Sequence, residues 1–455
     1  MEKENSLNRR EFLGKTTLLA SAAGLAAGAA QKARAQLNNA AGKKVERVGV
    51  GFIGVGIRGT QHLDGSLQIA GVVPVMACDL YTGHLDRARE ITNGKIEVTK
   101  AYEEVLARKD IEAVVVAAPD HWHKKIVLDA FDAGKNVYVE KPLTHKIEDG
   151  EELIRAAQKS GRVVQVGSQY MSMACAQKAV DLIKSGRLGQ ITLVDAKIHR
   201  NSSTGAWYYP IPPDASPETI DWKKFIGESK WYDFDPKRFF QWRLFWDYSG
   251  GLPTDLFVHL VTATHQLMGV TAPQTVVAFG DIYRWKNYRD VPDQMTALAS
   301  YPEGFLLKLT STSNNGHPGP ALTFYGTEGT LEYDGDSMTY YYEPRSENFR
   351  YPTHSWATPT VKQFQDIMNL NDNLSPVKSP PPKEAAPAQY TGGDGTEDST
   401  TAHLRNFYDA IRNGEPSVEP MEVGVNAVNV GHMVNISYRS GKIVRWNAKT
   451  RKVEM

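Results

Sequence analysis

Three sets of residues in this chain carry chemistry. Gly54, Gly56 and Gly59 make a G-x-G-x-x-G fingerprint after an apolar run, Lys141 stands in Glu140-Lys141-Pro142, and Asp255 and His259 lie four apart. Glycines so spaced suit a phosphate cradle: a tight turn, close approach of backbone to pyrophosphate, and close packing of helix on strand. The helix opening there, with Ile57 and Arg58 in its first turn, offers free N–H groups and a positive dipole end. Asp79 follows Gly59 by about twenty residues, the spacing of an acid that hydrogen-bonds the ribose hydroxyls. Leu80 and Tyr81 come next rather than a basic residue, which favours NAD over NADP. An ammonium such as Lys141 beside a bound cofactor stabilises a developing alkoxide. Asp255 and His259 share one face if helical, where the carboxylate fixes the tautomer of the imidazole and raises its basicity. In this order, the three sets describe a nicotinamide enzyme moving a hydride to or from a carbon bearing oxygen.

The elements that must position these groups are legible. From Glu46, short apolar runs alternate with amphipathic stretches, the pattern of parallel βα units. Strands are expected at 48–53, 72–78, 113–118, 136–140 and 163–166, with a helix over 123–133. Pro119-Asp120-His121-Trp122-His123 ends a strand where an open α/β sheet places its ligand crevice. Two histidines and an aspartate there resemble metal ligands, but no other motif completes a set and no metal is expected. A histidine beside the nicotinamide, His123, or one capping the next helix, is the better reading. Beyond Gln169 a helix at 176–185 and strands at 191–199, 275–279, 297–301, 306–311, 330–333 and 443–446 imply a second α/β domain with a largely antiparallel sheet. A helix is expected over 403–412. The Pro/Gly/Ala-rich tract 369–401 has no periodicity and reads as an exposed loop. The division is therefore 1–35 as signal, 46–168 as a Rossmann dinucleotide-binding domain, and 169–455 as a substrate and oligomerisation domain.

Composition narrows the partners. With 52 basic and 52 acidic residues the net charge is zero, which speaks against nucleic acid or an anionic membrane. Cys78 and Cys175 make neither a disulfide framework nor a metal set. Asn8-Arg9-Arg10-Glu11-Phe12-Leu13 reads as a twin-arginine signal, followed by a small-residue apolar stretch over 16–30 and an Ala33-Arg34-Ala35 cleavage site. A soluble periplasmic protein, with no membrane attachment after export, is the expectation.

The run from Val48 to Gln169 resembles the Gfo/Idh/MocA family (glucose–fructose oxidoreductase, inositol dehydrogenase, rhizopine catabolism). The resemblance rests on the glycine fingerprint, Pro119-Asp120-His121-Trp122-His123, Glu140-Lys141-Pro142 and Val166-Gly167-Ser168-Gln169. It continues through Gly250-Gly251 to Asp255 and His259, and through Phe324-Tyr325-Gly326-Thr327-Glu328-Gly329. It implies NAD bound by Gly54, Gly56, Ile57, Arg58, Gly59, Asp79, Pro119, His123 and Glu140. It places Lys141 beside the nicotinamide, on the substrate hydroxyl. In similar enzymes the residue matching His259 takes the proton as hydride leaves, and that matching Asp255 orients it. Many relatives carry a second Asp three residues after the His, where this chain has Thr262, so a different substrate pocket is expected. Homo-oligomers are common among similar proteins.

The segment 207–248 holds Trp207, Trp222, Trp231, Trp242 and Trp246. Aromatic faces stack on sugar rings, and Arg243 is placed to bind hydroxyls, so Lys141, Gln169, Arg243, Trp246 and His259 form the expected substrate set for a carbohydrate. Because free NAD is expected to be scarce in the periplasm, a retained cofactor fits either of two schemes. One is oxidoreduction of a sugar or polyol. The alternative is a glycosidase that oxidises the sugar transiently, as the similar NAD-dependent α-N-acetylgalactosaminidases do. Their Thr-His-Gly stretch is replaced here by Pro253-Thr254-Asp255, which favours the oxidoreductase. Intact Lys141, Asp255 and His259 argue against a non-catalytic sugar binder.

Overall fold

Val48–Ile53 (β1) is buried at every position, as a strand covered on both faces requires. In the computed structural model, which describes residues 47–343, 351–370, 388–391 and 397–455, it sits at the centre of a six-stranded sheet. The other strands are β2 (Val72–Cys78), β3 (Glu97–Thr99), β4 (Ala113–Val116), β5 (Asn136–Glu140) and β6 (Val164–Gly167). Their order is β3-β2-β1-β4-β5-β6, and every pairing is parallel. Helices α1 (Ile57–Leu67), α2 (Thr82–Ile91), α3 (Tyr102–Ala107), α4 (Asp120–Asp132) and α5 (Asp149–Ser160) make the crossovers. The order reverses between β1 and β4, so a crevice opens at their carboxyl ends. The twin-arginine motif, the apolar stretch and the cleavage site lie outside the described residues.

After α6 (Ala176–Lys184) comes a second sheet. It contains β7 (Ile191–His199), β8 (Thr275–Asp281), β9 (Gln294–Ser300), β10 (Leu306–Thr312), β11 (Leu322–Gly326), β12 (Gly329–Tyr333), β13 (Ser337–Tyr342), β14 (Ala388–Thr391), β15 (Val444–Asn447) and β16 (Lys452–Glu454). The order is β14-β13-β12-β11-β7-β10-β9-β8-β15-β16. All pairings are antiparallel except β7 with β10. The tract 369–401 is not wholly loop: Ala388–Thr391 pairs with β13 as an edge strand. There, backbone pairing along a sheet edge overrides the local absence of periodicity.

Two late helices tie the halves together. Helix α11 (Ser399–Asn413), which follows α10 (Thr358–Leu370), returns to the parallel sheet. Its Leu404, Phe407 and Tyr408 share one buried cluster with Val48, Val50, Phe52 and Leu63, and the hydroxyls of Tyr408 and Ser66 lie 2.8 Å apart. Helix α12 (Met421–Ser440) is buried on nearly every side. A Cβ at Gly431 would stand 2.8 Å from the Pro253 carbonyl oxygen, and Asn435 Nδ2 donates to the Gly250 carbonyl at 2.8 Å. The turn bearing Asp255 is therefore held from behind.

Residues 200–248, with the short helices α7 (Trp222–Ile226) and α8 (Pro236–Phe240), leave the second domain and strap the first. Asp221 N–H donates to Leu80 O at 2.9 Å and Thr82 N–H to Thr219 O at 3.0 Å. Tyr81 bridges Ile220, and its hydroxyl donates to Asp214. The strap roofs the crevice at the ends of β2 and β4. Among the described residues no helix is long and apolar enough to cross a membrane.

Candidate active site

The crevice is a cleft of about 730 Å³ between the domains, within the range of ligand sites. At one end Gly54, at φ +85°, turns the chain out of β1, and a Cβ there would meet the Ala117 carbonyl at 2.7 Å. A Cβ at Gly59 would come 1.9 Å from Gly54 O, so only glycine lets α1 pack this close to the strand. Gly56 caps α1 with no side-chain hydrogen bond, leaving the first-turn N–H groups facing the cleft. Gly54, Gly56, Ile57, Arg58, Asp79, Pro119, Glu140 and Gln169 all line it; Gly59 supports the cradle from behind. The room left by absent Cβ atoms fits a dinucleotide pyrophosphate.

Asp79, just past β2, accepts from Val55 N–H at 2.9 Å, Tyr81 N–H at 3.0 Å and the His84 ring at 3.1 Å. Burial alone raises its pKa, but the His84 charge and these donors overcome it and keep the carboxylate ionised. Glu140 Oε1 accepts from Arg58 Nε at 2.8 Å and from His62 Nε2 at 2.7 Å. Against the burial penalty, Arg58 and then His62 hold it well below the usual carboxylate range. Glu140 thus fixes Arg58 at the start of α1.

Lys141 follows β5 directly. Its Nζ donates to the Asp255 carbonyl at 2.8 Å and to Asp255 Oδ1 at 2.9 Å. Arg243 Nε reaches the same oxygen at 3.2 Å. Asp255 sits in a π turn, Pro253–Phe257, that runs into α9 (Val258–Met268). Such a turn frees carbonyls from the i to i+4 ladder, and Lys141 takes one. Burial opposes ionisation of Asp255, but Lys141, Arg243 and Arg200 outweigh it and hold the carboxyl below the usual range.

Three expectations need correcting. Asp255 and His259 both line the cleft, but Asp255 Oδ1 is occupied by two cations and His259 Nδ1 has no hydrogen-bond partner among the described residues. The π turn breaks the regular helical face, so the carboxylate does not fix the imidazole. Burial first, then the Lys141 charge, lowers the His259 pKa to about 3, and the ring is neutral at ordinary pH. His123 does not line the cleft; its nitrogens contact Pro142 O at 2.8 Å and Ala118 O at 2.7 Å, clipping the β4 loop to the Lys141 turn. Trp246 faces away, under the Arg439 guanidinium at 4.2 Å and against Gly251.

The aromatic lining includes instead Trp122, Trp207, Tyr209, Phe240 and Trp242, with Arg243 over the Trp242 ring at 4.1 Å. Arg200, one residue past β7, also lines the site; a charge at a strand's carboxyl end was the signal for it. Asp120 was legible only as a possible metal ligand. It is 2% exposed, with Oδ2 unpartnered among the described residues. Burial and then the Asp255 charge push it up to about 8, so it is protonated at neutral pH. Of this pair, Asp255 keeps the charge because two cations touch it. Among the described residues no group of three His, Cys, Asp or Glu side chains is placed to hold a metal.

Comparison with known proteins agrees with the two-domain fold. Residues 48–168 match the model described as oxidoreductase family, NAD-binding Rossmann fold, and 180–445 match the oxidoreductase family, C-terminal alpha/beta domain. Inositol 2-dehydrogenase of Salmonella typhimurium is 30% identical over 172 residues, 37% of this chain and 49% of that protein. Alpha-N-acetylgalactosaminidase of Shewanella oneidensis is 28% identical over 181 residues, 36% of this chain and 39% of that one. The chain thus spans at most about half the length of these curated relatives. A levoglucosan dehydrogenase solved with NADH and levoglucosan superposes with a TM-score of 0.65 at 16% identity, over 88% of this chain and 99% of that one. Aldose–aldose oxidoreductase from Caulobacter crescentus gives 0.63 at 18%, with the same coverage. At such identities the likeness is one of fold. With both of its domains matched by the family's models, the chain belongs to the Gfo/Idh/MocA oxidoreductase family.

Proposed function

We propose that the chain is an NAD-dependent oxidoreductase acting on a CH–OH carbon of a sugar or polyol, with the dinucleotide retained under the 200–248 strap. The observation that carries this is Lys141 Nζ, held by Asp255 in the same cleft as the glycine cradle and a neutral His259. When bound, the nicotinamide accepts the hydride released from the carbon. His259, already neutral, takes the hydroxyl proton. The Lys141 ammonium donates to the oxygen as charge develops, and Asp255 and Arg243 fix its position. The same groups run in reverse for reduction. Asp255 and Glu140 are both bound to cations, which leaves neither as a free acid for a departing glycosidic oxygen and favours the oxidoreductase over the redox-assisted glycosidase. Relatives named as inositol 2-dehydrogenase and levoglucosan dehydrogenase support the substrate class.

Export through the twin-arginine route to the periplasm is part of the same reading, supported by Asn8–Leu13. So is a homo-oligomer, supported by Phe279, Leu298, Leu306 and Tyr325 exposed on the second sheet. The test is to purify the protein, denature it and quantify released nicotinamide, then to follow reduction of the bound dinucleotide by a sugar panel. About one NAD(H) per chain with reduction is expected; a chain that also fails to bind added NAD sinks the proposal. Asp79→Ala is expected to weaken NAD binding about 10- to 100-fold, the worth of a charge-assisted hydrogen bond, in calorimetric titration. An unchanged dissociation constant removes Asp79 from the ribose site.

A further inference from the structure

The substrate end of the cleft carries more positive charge than a neutral sugar calls for. Lys141 and Arg243 share the one carboxylate of Asp255, at 2.9 and 3.2 Å. Glu140, beside Lys141, is already matched by Arg58. Arg200 is exposed at the cleft wall, and its guanidinium meets no carboxylate among the described residues. It stands close enough for its charge to favour ionised Asp255 and to oppose an imidazolium at His259. Burial and then the Asp255 charge push Asp120 up to about 8, so it is mostly protonated at neutral pH. Three cations therefore face one ionised carboxylate. On open surface a lone arginine needs no explanation. Here Arg200 shares one cleft with Tyr209 and Trp242, and a substrate that fills the cleft strips water from the excess charge, which is unfavourable unless the substrate returns an anion. The phosphate cradle is built by Gly54, Gly56 and the start of α1, whereas Arg200 follows β7 of the second sheet, so the dinucleotide phosphates do not account for it.

We propose that the carbohydrate is a sugar acid, whose carboxylate is bound by the planar fork of Arg200 with Arg243 as the second cation while its ring lies against Tyr209 and Trp242. A guanidinium matches a carboxylate with two parallel hydrogen bonds, and aromatic faces complement the apolar side of a pyranose. The carboxylate is a handle only: the hydride still leaves a CH–OH carbon and the hydroxyl proton still goes to His259. This rests on the dehydrogenase reading above.

The test titrates NAD-loaded protein with D-glucuronate and D-galacturonate against D-glucose and D-galactose, following tryptophan fluorescence. The acids are expected to bind about 10- to 100-fold more tightly, with the gap narrowing as salt is raised. Arg200→Gln is expected to bring the acid-to-neutral ratio of dissociation constants below about threefold. Acids that bind no tighter than the neutral hexoses, absent binding included, overturn the proposal, as does a ratio unmoved by Arg200→Gln. Nicotinamide content of the same samples separates the two readings. A loaded protein without preference for acids overturns only the carboxylate assignment, whereas a chain that takes up no NAD overturns the dehydrogenase reading with it.

Discussion

Lys141→Ala is expected to lower turnover about 1,000-fold or more, with the dinucleotide still bound. Removing one preorganised donor aimed at a developing oxyanion costs about 100- to 1,000-fold, and the full charge that Lys141 carries puts this case at the upper end. The cofactor is spared because the cradle is built from Gly54, Gly56 and the start of α1, not from Lys141. The substitution also removes one of the two cations on buried Asp255, and breaking a buried pair destabilises by about 3–5 kcal/mol. Turnover is therefore measured well below the denaturant midpoint of the variant, with urea unfolding followed on the same samples. If the variant is folded and loaded with dinucleotide but turnover stays low, the loss belongs to the chemistry. The measurement is the rate at which the best sugar reduces bound nicotinamide, and a rate within tenfold of the unaltered protein takes Lys141 out of the reaction.

Asp120→Asn is expected to stabilise the protein, increasingly so as pH rises. The native carboxyl titrates near 8 because of burial and the Asp255 charge, whereas an unfolded aspartate titrates near 3.9. Between these values the folded state holds a proton that the unfolded state releases, so the stability Asp120 contributes is full below about pH 4 and is lost as pH climbs to about 8. Each pH unit is worth about 1.4 kcal/mol. Asn keeps the size of the protonated acid and cannot ionise. The difference in unfolding free energy between variant and parent should widen by about 4 kcal/mol between pH 5 and pH 8, read from urea titrations. A difference that stays constant with pH means Asp120 is ionised in the fold.

The cofactor half was legible because its signals are local. Glycine spacing, an acid past β2 and runs of Val each declare themselves within a few residues, and the expected strands at 48–53, 72–78 and 136–140 coincide with β1, β2 and β5. What escaped depends on distant partners. The parallel pairing of β7 with β10 inside an antiparallel sheet leaves no trace in either strand. Helix α12 was missed because burial on nearly all sides erases the amphipathic stripe, and Gly424 and Gly431 lower its helix propensity. Gly431 is there for the close approach to Pro253, a reason visible only once both are placed. The Asp255–His259 spacing was read on an α-helix, and the π turn gives Asp255 to Lys141 instead. Trp246 and Trp242 look alike in sequence; only the fold turns one into the cleft.

The helix that completes the first hydrophobic cluster, Ser399–Asn413, is synthesised long after the sixth parallel strand, Val164–Gly167. A nascent chain that has made all six parallel strands by Gly167 still leaves Val48, Val50, Phe52 and Leu63 without Leu404, Phe407 and Tyr408. Vectorial synthesis cannot finish this domain first, because its closing helix follows β7 to β14 of the second sheet in the chain. A fragment cut after the sixth strand would expose an apolar face and invite aggregation.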